Sequence, residues 1–275
     1  YVHKSVTKGG EGANQLMTGY YSDYRKGIHK AGSPTGHDAF RQVNSHPVRR
    51  TTDDIDFDND DRVEYEKVIR PETEPGSGEI RMGEVVKAVS DLTEGDAVIV
   101  TDVGQHQMAV ARYYRFSEKS TLVTSGGMGT MGFGLPASLG AASGNPGRPV
   151  VAFIGDGGFQ MTVQELGTIM QYQIPVKIIL LNNSFLGMVR QWQEMFFKER
   201  YASTELVNPD FVMIASGYSI PGRKVVERDD LLPALKDMLA AEGPYLLEVI
   251  VEKQGNVLPM VEPGASVSEI TLNYK

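Results

Sequence analysis

From about residue 80 onward the sequence alternates short, almost continuously apolar runs with segments of helical period, and this alternation constrains the fold more than any other feature. Ala97-Val98-Ile99-Val100, Val150-Val151-Ala152-Phe153-Ile154 and Val176-Lys177-Ile178-Ile179-Leu180-Leu181 read as strands, as do residues 245–251 and a short stretch near Leu122. Between them, Met82, Val85, Val86, Val89 and Leu92 share one face of a helix. Further helices are expected around residues 107–114, from 133, around 163–172, over 186–197, near Phe211 and over 231–239. Strands without polar alternation are buried on both faces, so the expected class is α/β, a parallel sheet covered by helices on both sides. Ligands of such sheets sit beyond the carboxyl ends of the strands. The chemistry should therefore follow Val100, Val123, Ile154 and Leu181.

Residues 1–79 differ in kind. They hold four of the five histidines (His3, His29, His37, His46) and few aliphatics, with no sustained period, and read as a linker or the remnant of a neighbouring domain. Six carboxylates fall within residues 53–61, yet no frame starting at Asp54 or Asp56 supplies the Gly and Glu that a calcium loop needs, so this is a solvated acidic linker. Pro71, Pro75, Gly76 and Gly78 then mark a boundary, leaving residues 80–275 as the folded domain. A net charge of −8 argues against nucleic acid, and the longest apolar runs are far shorter than the ~18 residues a membrane helix requires. With no cysteine there are no disulfides or thiolate metal sites, which fits a reducing cytoplasm. No leader peptide is recognisable, and a chain that opens on Tyr1 rather than Met is expected to be a processed product or a piece of something longer.

The strand ends carry unusual residues. Gly155-Asp156-Gly157-Gly158 follows one strand, and Asn182-Asn183-Ser184-Phe185-Leu186-Gly187 follows the next. A carboxylate and a side-chain amide oxygen at adjacent strand ends can hold a hard cation such as Mg²⁺, which takes oxygen ligands and leaves positions for phosphate and water. The glycines let backbone N–H groups approach a diphosphate. Alone, a Gly-Asp-Gly is a tight strand-to-helix turn; the pairing matters because Asn183 follows Asp156 by one β-α-β unit. Plainer readings stand beside these: His106 as a hydrogen-bonded structural histidine, and Met161, Met188 and Trp192 as core residues. Residues 127–132 also satisfy the dinucleotide fingerprint, but the acidic residue it needs about 20 positions later is absent, where Val151-Ala152-Phe153 stands, and NAD is rejected.

The paired Gly-Asp-Gly and Asn-Asn resemble the thiamine diphosphate motif. Residues 102–108, 125–136, 155–165, 186–192 and 257–260 further resemble the C-terminal, cofactor-binding domain of the acetohydroxyacid (acetolactate) synthase large subunit, over about seven tenths of the chain. One departure is Ala109, where many relatives have an aromatic residue. The resemblance implies the thiamine diphosphate-binding fold. It also implies Asp156, Asn183 and the Phe185 carbonyl as Mg²⁺ ligands, and Gln105, His106, Gly157 and Gly158 around the diphosphate. Gly129 and Met131 would meet the aminopyrimidine, with Gly187 and Met188 also at the cofactor, and Met161 would fold it into a V. Met188, Val189 and Trp192 would line the substrate pocket. The implied reaction is decarboxylation of pyruvate and addition to a second 2-oxo acid, pyruvate or 2-oxobutyrate, in branched-chain amino acid biosynthesis.

No catalytic side chain is expected within this chain, because the activating glutamate belongs to an N-terminal domain of a second catalytic subunit, in a homodimer or tetramer. FAD is expected in the complete enzyme, mainly outside these residues, with a small regulatory subunit as a further partner. Another thiamine diphosphate-dependent decarboxylase or oxidase, or a binding module without catalysis, are the alternatives; the stretches at 188–192 and 258–260 favour the synthase over another such enzyme.

Overall fold

The computed structural model describes residues 67, 69–117, 121–261 and 270–271. The acidic stretch at 53–61, and most of the segment read as linker, lie outside the described residues. Within the segment read as linker, residues 69–73 are helical and Ile69 packs against the core; α1 is Met82–Leu92, with Val85, Val86 and Val89 buried. There follow β1 (Val98–Thr101), α2 (Gln105–Tyr113), β2 (Thr121–Thr124), α3 (Gly134–Gly144) and β3 (Val150–Gly155). Next come α4 (Asp156–Met161), a 3-10 turn at Val163–Glu165, α5 (Leu166–Tyr172), β4 (Val176–Asn182) and α6 (Gly187–Phe196). The described chain closes with α7 (Phe211–Gly217), β5 (Gly222–Val225), α8 (Arg228–Ala240), β6 (Tyr245–Ile250) and a two-stranded pair, β7 (Met260–Val261) and β8 (Ile270–Thr271).

Six strands form one sheet in the order β2-β1-β3-β4-β6-β5, and every pairing is parallel. The expected class is therefore observed, and its physical cause is visible in the two cores. Alternate residues of each strand face opposite sides. Ile99, Val151, Phe153, Ile179, Leu181, Leu247 and Val249 pack under α1, α2 and α8. Val98, Val100, Ala152, Ile154, Ile178, Leu180 and Leu246 pack under α3, α4, α5 and α7. All four residues of β1 and all seven of β4 are buried, which is why those strands read as apolar without alternation.

Four elements from α1 onward have no counterpart in the periodicity, two of them the short strands β7 and β8. Strand β5 is an edge strand whose Gly222, Arg223 and Lys224 are partly or fully exposed, so it lacks the apolar signature. Helix α4 starts directly at Asp156 and contains two glycines, the composition of a loop. After β1 the chain moves outward to β2 and then returns across β1 to β3. The connections diverge between β1 and β3, and a crevice opens at their carboxyl ends.

Candidate cofactor-binding site

An open cleft occupies that crevice, lined from the ends of β1, β3 and β4. Its floor is built on glycine. A Cβ on Gly158 would fall 1.7 Å from Oδ2 of Asp102, the buried residue following β1. Asp102 is fixed from its other side, since its Oδ1 accepts a 2.9 Å hydrogen bond from the Gly134 backbone at the start of α3. Only glycine at 158 lets α4 come this close to β1. A Cβ on Gly187 would likewise lie 2.1 Å from Oε1 of Gln105 and 2.7 Å from Nδ2 of Asn183, so α6 can start against the cleft only at a residue without a side chain.

His106, on the first turn of α2, is buried with its ring against the Gly155 backbone, where a Cβ would come within 3.0 Å. Burial lowers its pKa to about 4, partly opposed by the Asp102 charge and a hydrogen bond to the Asp102 backbone. Its Nε2 is buried without a hydrogen-bond partner among the described residues. Because His106 lines the cleft, a ligand oxygen is the partner this atom can find.

Asp156 and Asn183 stand at adjacent strand ends, where β3 pairs with β4. Asp156 is buried, and burial raises its pKa to about 6 against hydrogen bonds from Asn208 and from the Gly157 and Ser184 backbones. Asn208 Nδ2 donates to Asp156 Oδ2 at 2.6 Å and to Asn182 Oδ1 at 2.9 Å. Asn183 Oδ1 accepts from the Phe185 N–H at 3.1 Å, and Asn182 Oδ1 from the Ser184 N–H at 3.0 Å; the turn passes through Ser184 with φ +56°. This turn is held by residues 204–206: Leu186 N–H donates to the Thr204 carbonyl and Leu206 N–H to the Ser184 carbonyl.

The side chain of Gln105 is a tie. Its Oε1 accepts from Asn183 Nδ2 at 3.3 Å, while its Nε2 donates to Gln191 Oε1 at 2.9 Å and to the Gly255 carbonyl at 2.8 Å. Gln191 also exchanges two hydrogen bonds with the Val257 backbone, and the buried Arg190 reaches the carbonyls of Gln254 and Gly255 and the Asn256 side chain. Arg112 holds the carbonyls of Leu258 and Pro259. The stretch at 257–260 is thereby fastened to α2 and α6.

The structure brings Gln105, His106, Asp156, Gly157, Gly158 and Asn183 to one cleft, with Met131, Phe185, Gly187, Met188 and Val189 also on its wall. Gly129, Met161 and Trp192 stand outside that wall. Gly129 takes φ +64°, which favours glycine, and Met161 is 53% exposed at the end of α4. Trp192 packs its ring on Phe196 at 5.1 Å, with Nε1 buried and unpartnered. Sequence reasoning missed Asn208, whose Asn208-Pro209 context reads as an ordinary turn, and gave no role to Asp102, Asn182 or Gln191.

The residues present fit a diphosphate and a hard cation. The donor set at Asp156 and Asn183 is one carboxylate and one amide oxygen, the cradle is one that side chains would fill, and the His106 nitrogen lacks a partner. No group of three or more His, Cys, Asp or Glu able to hold a metal occurs among the described residues, so a cation here relies on amide and carbonyl oxygens as well.

Comparison with known proteins agrees with this geometry. Residues 102–249 match the family described as "Thiamine pyrophosphate enzyme, C-terminal TPP binding domain". The chain is 50% identical to the acetolactate synthase isozyme 2 large subunit of Escherichia coli (strain K12), over 68% of this chain and 34% of that protein. It is 47% identical to the acetolactate synthase large subunit of Lactococcus lactis, over 72% of this chain and 34% of that one. Among solved structures it is similar to the Rhodococcus jostii thiamine diphosphate-dependent 4-hydroxybenzoylformate decarboxylase, with a TM-score of 0.58 and 31% identity over 64% of this chain and 33% of that one. The chain thus spans about a third of the length of the relatives it matches. With the family match covering more than half of its residues, this chain belongs to the thiamine pyrophosphate enzymes and carries their C-terminal TPP-binding domain.

Proposed function

We propose that this chain is the cofactor-anchoring portion of an acetolactate synthase, condensing pyruvate with a second 2-oxo acid, pyruvate or 2-oxobutyrate, once a partner domain closes the cleft. The observation that carries the reading is the convergence of Asp156, Asn183, His106 and the glycine cradle at the switch point of the sheet, in a chain 47–50% identical to the two acetolactate synthase subunits compared above. Thiamine diphosphate, when bound, supplies a thiazolium carbon that accepts the electrons released by decarboxylation. Asp156, Asn183 and the Phe185 carbonyl would hold Mg²⁺ against its diphosphate. His106 would hydrogen-bond a diphosphate oxygen, and Gly157 and Gly158 let that group approach the backbone. Gln105 acts from behind, orienting the Asn183 amide through its 3.3 Å hydrogen bond.

Gly129 and Met131 would meet the aminopyrimidine, Met161 would fold the cofactor into its V, and Met188, Val189 and Trp192 would exclude water from the acceptor. Met128 and Met161, 89% and 53% exposed, present apolar surface that the N-terminal domain of a second catalytic subunit would cover. That domain would also bring the activating glutamate, while FAD and a regulatory subunit would act mainly outside these residues. No helix among the described residues is long and apolar enough to cross a membrane, and the cysteine-free composition suits a reducing compartment such as the cytoplasm.

The test is calorimetric binding of Mg²⁺ and thiamine diphosphate to the complete enzyme carrying Asp156→Ala or Asn183→Ala. Both variants should lose Mg²⁺-dependent binding with the fold intact, whereas tight binding in either would refute the metal assignment. A colorimetric acetoin assay on the 275-residue chain alone should show no acetolactate formation. Turnover comparable to an intact synthase would show that the cleft needs no partner.

A further inference from the structure

Strand β6 is apolar except at one position. Glu248 interrupts Tyr245-Leu246-Leu247 and Val249-Ile250, is fully buried, and has one carboxylate oxygen, Oε2, without a partner among the described residues. It lies on the Leu246 side of the sheet, opposite Leu180 in the pairing of β4 with β6. A buried carboxylate there is costly, and its ion pair is with Lys224 of the edge strand, whose side chain is about half exposed. An apolar residue would suit the strand better, so the local packing does not explain the glutamate.

What Glu248 does touch explains it. Its Oε1 accepts a 2.7 Å hydrogen bond from Asn182 Nδ2. A carboxylate only accepts, so the Asn182 amide must present its nitrogen to Glu248 and its oxygen to the other side. There the Ser184 backbone N–H, which only donates, requires the same orientation. The oriented Asn182 oxygen receives Asn208 Nδ2, and the same nitrogen donates to Asp156 Oδ2. Each link fixes the polarity of the next, from β6 through the end of β4 and the 208 loop to the end of β3. The two adjacent asparagines thereby take different roles, with Asn183 tied to Gln105 at the cleft while Asn182 faces this relay.

We propose that Glu248 is a positioning residue which, through Asn182 and Asn208, fixes the rotation of the Asp156 carboxylate for the cation. The proposal rests on the metal-binding reading of Asp156. Groups beyond the ligands themselves typically contribute 10–100-fold to metal affinity by fixing ligand orientation. Glu248→Gln preserves shape but replaces the charged acceptor with an amide that can either donate or accept, so the orientation of Asn182 is left to the Ser184 N–H alone.

The test is a titration of Mn²⁺, followed by electron paramagnetic resonance of the free ion, with the complete enzyme in the presence of thiamine diphosphate. Glu248→Gln should weaken Mn²⁺ binding about 10-fold, and Asn208→Ala, at a half-buried loop position, by a similar factor. Combining the two should add less than about twofold beyond Asn208→Ala, because the relay is already cut. A purely structural role for Glu248 gives independent losses that multiply, and that outcome overturns the proposal, as does Glu248→Gln binding like the wild type. Should Glu248→Gln fail to fold, Glu248→Leu, which suits the apolar strand, forms the same cycle with Asn208→Ala. Wild-type binding by Asp156→Ala, or none by the wild type, instead overturns the underlying metal reading.

Discussion

Asp156→Asn should stabilise the metal-free protein while destroying its Mg²⁺ site. Burial holds the Asp156 carboxyl at about 6, against an ordinary value of 3.8. A carboxylate whose folded pKa is raised favours folding in its protonated form, so its contribution is fully present below about pH 4 and is lost as pH rises through about 6. The gap between those two values corresponds to about 3 kcal/mol at pH 8. Asparagine has nearly the same shape, carries no charge to desolvate, and offers an oxygen that still accepts from Asn208. For a domain of this size about 3 kcal/mol raises the melting temperature by roughly 5–10 °C. The assay is thermal unfolding of both proteins in chelator across pH 4 to 8. The gain should be greatest at pH 8, fall to about half by pH 5, and approach zero near pH 4. Adding Mg²⁺ and thiamine diphosphate should then raise the wild-type midpoint and leave the variant unmoved. A variant no more stable than wild type at pH 8, or a gain independent of pH, would refute the claim that the fold buries a charged Asp156.

Gly187→Ala should separate Gln105 from Asn183, since its Cβ would lie 2.1 Å from Gln105 Oε1; about 1–3 kcal/mol of stability should be lost along with cation affinity, read by chemical denaturation and metal titration. His106 should take up a proton when diphosphate binds, because an anion beside the buried ring raises a pKa held near 4; calorimetry at pH 6 in buffers of different ionisation enthalpy should reveal this uptake, and identical heats would contradict it. In the ligand-free protein the same ring favours folding above about pH 6.5, and that contribution is lost as pH falls towards 4. Trp192→Leu in the complete enzyme should change the ratio of acetolactate to 2-aceto-2-hydroxybutyrate while the fold persists; an unchanged ratio with a large loss of stability would make Trp192 a core residue.

The sheet was legible because burial on both faces leaves little freedom: apart from Lys177 and Glu248 and a polar residue at a strand end, β1, β3, β4 and β6 are apolar, and their order along the chain then implies helical crossovers. Strand β5 escaped since an edge strand pairs through its backbone and needs few apolar side chains. Within the site, Asp156 and Asn183 were legible because the strand ends supply a fixed spacing, one β-α-β unit, that the sequence preserves. Asn208 was not. It reaches Asp156 from a loop whose place is set by backbone pairing between residues 184–186 and 204–206, and backbone pairing leaves no mark on side-chain identity. Glu248 had a signal, a lone carboxylate in an apolar run, but the sequence could not name its partner 66 residues away.

The polar groups at the cleft also explain why so extensive an apolar sheet is needed to carry so small a site. Asp102 Oδ2 and His106 Nε2 are buried without partners among the described residues, and Asp156 is held where its charge is disfavoured. Each such group costs on the order of 1–3 kcal/mol in the empty protein. These costs fall on the segments flanking β1 and β3, whose residues are buried on both faces and whose neighbours hold them in register. A cation at Asp156 and an anion at His106 would reverse two of the three penalties at once: the cation favours the carboxylate, and the anion favours the protonated ring. The carboxylate and the protonated ring so favoured carry opposite charges in one cleft and attract each other, so binding of the two should be mutually reinforcing even without direct contact between the side chains. The cleft is least stable empty and most stable when both charges arrive together, which is the electrostatic condition for recognising a metal–diphosphate pair rather than either ion alone.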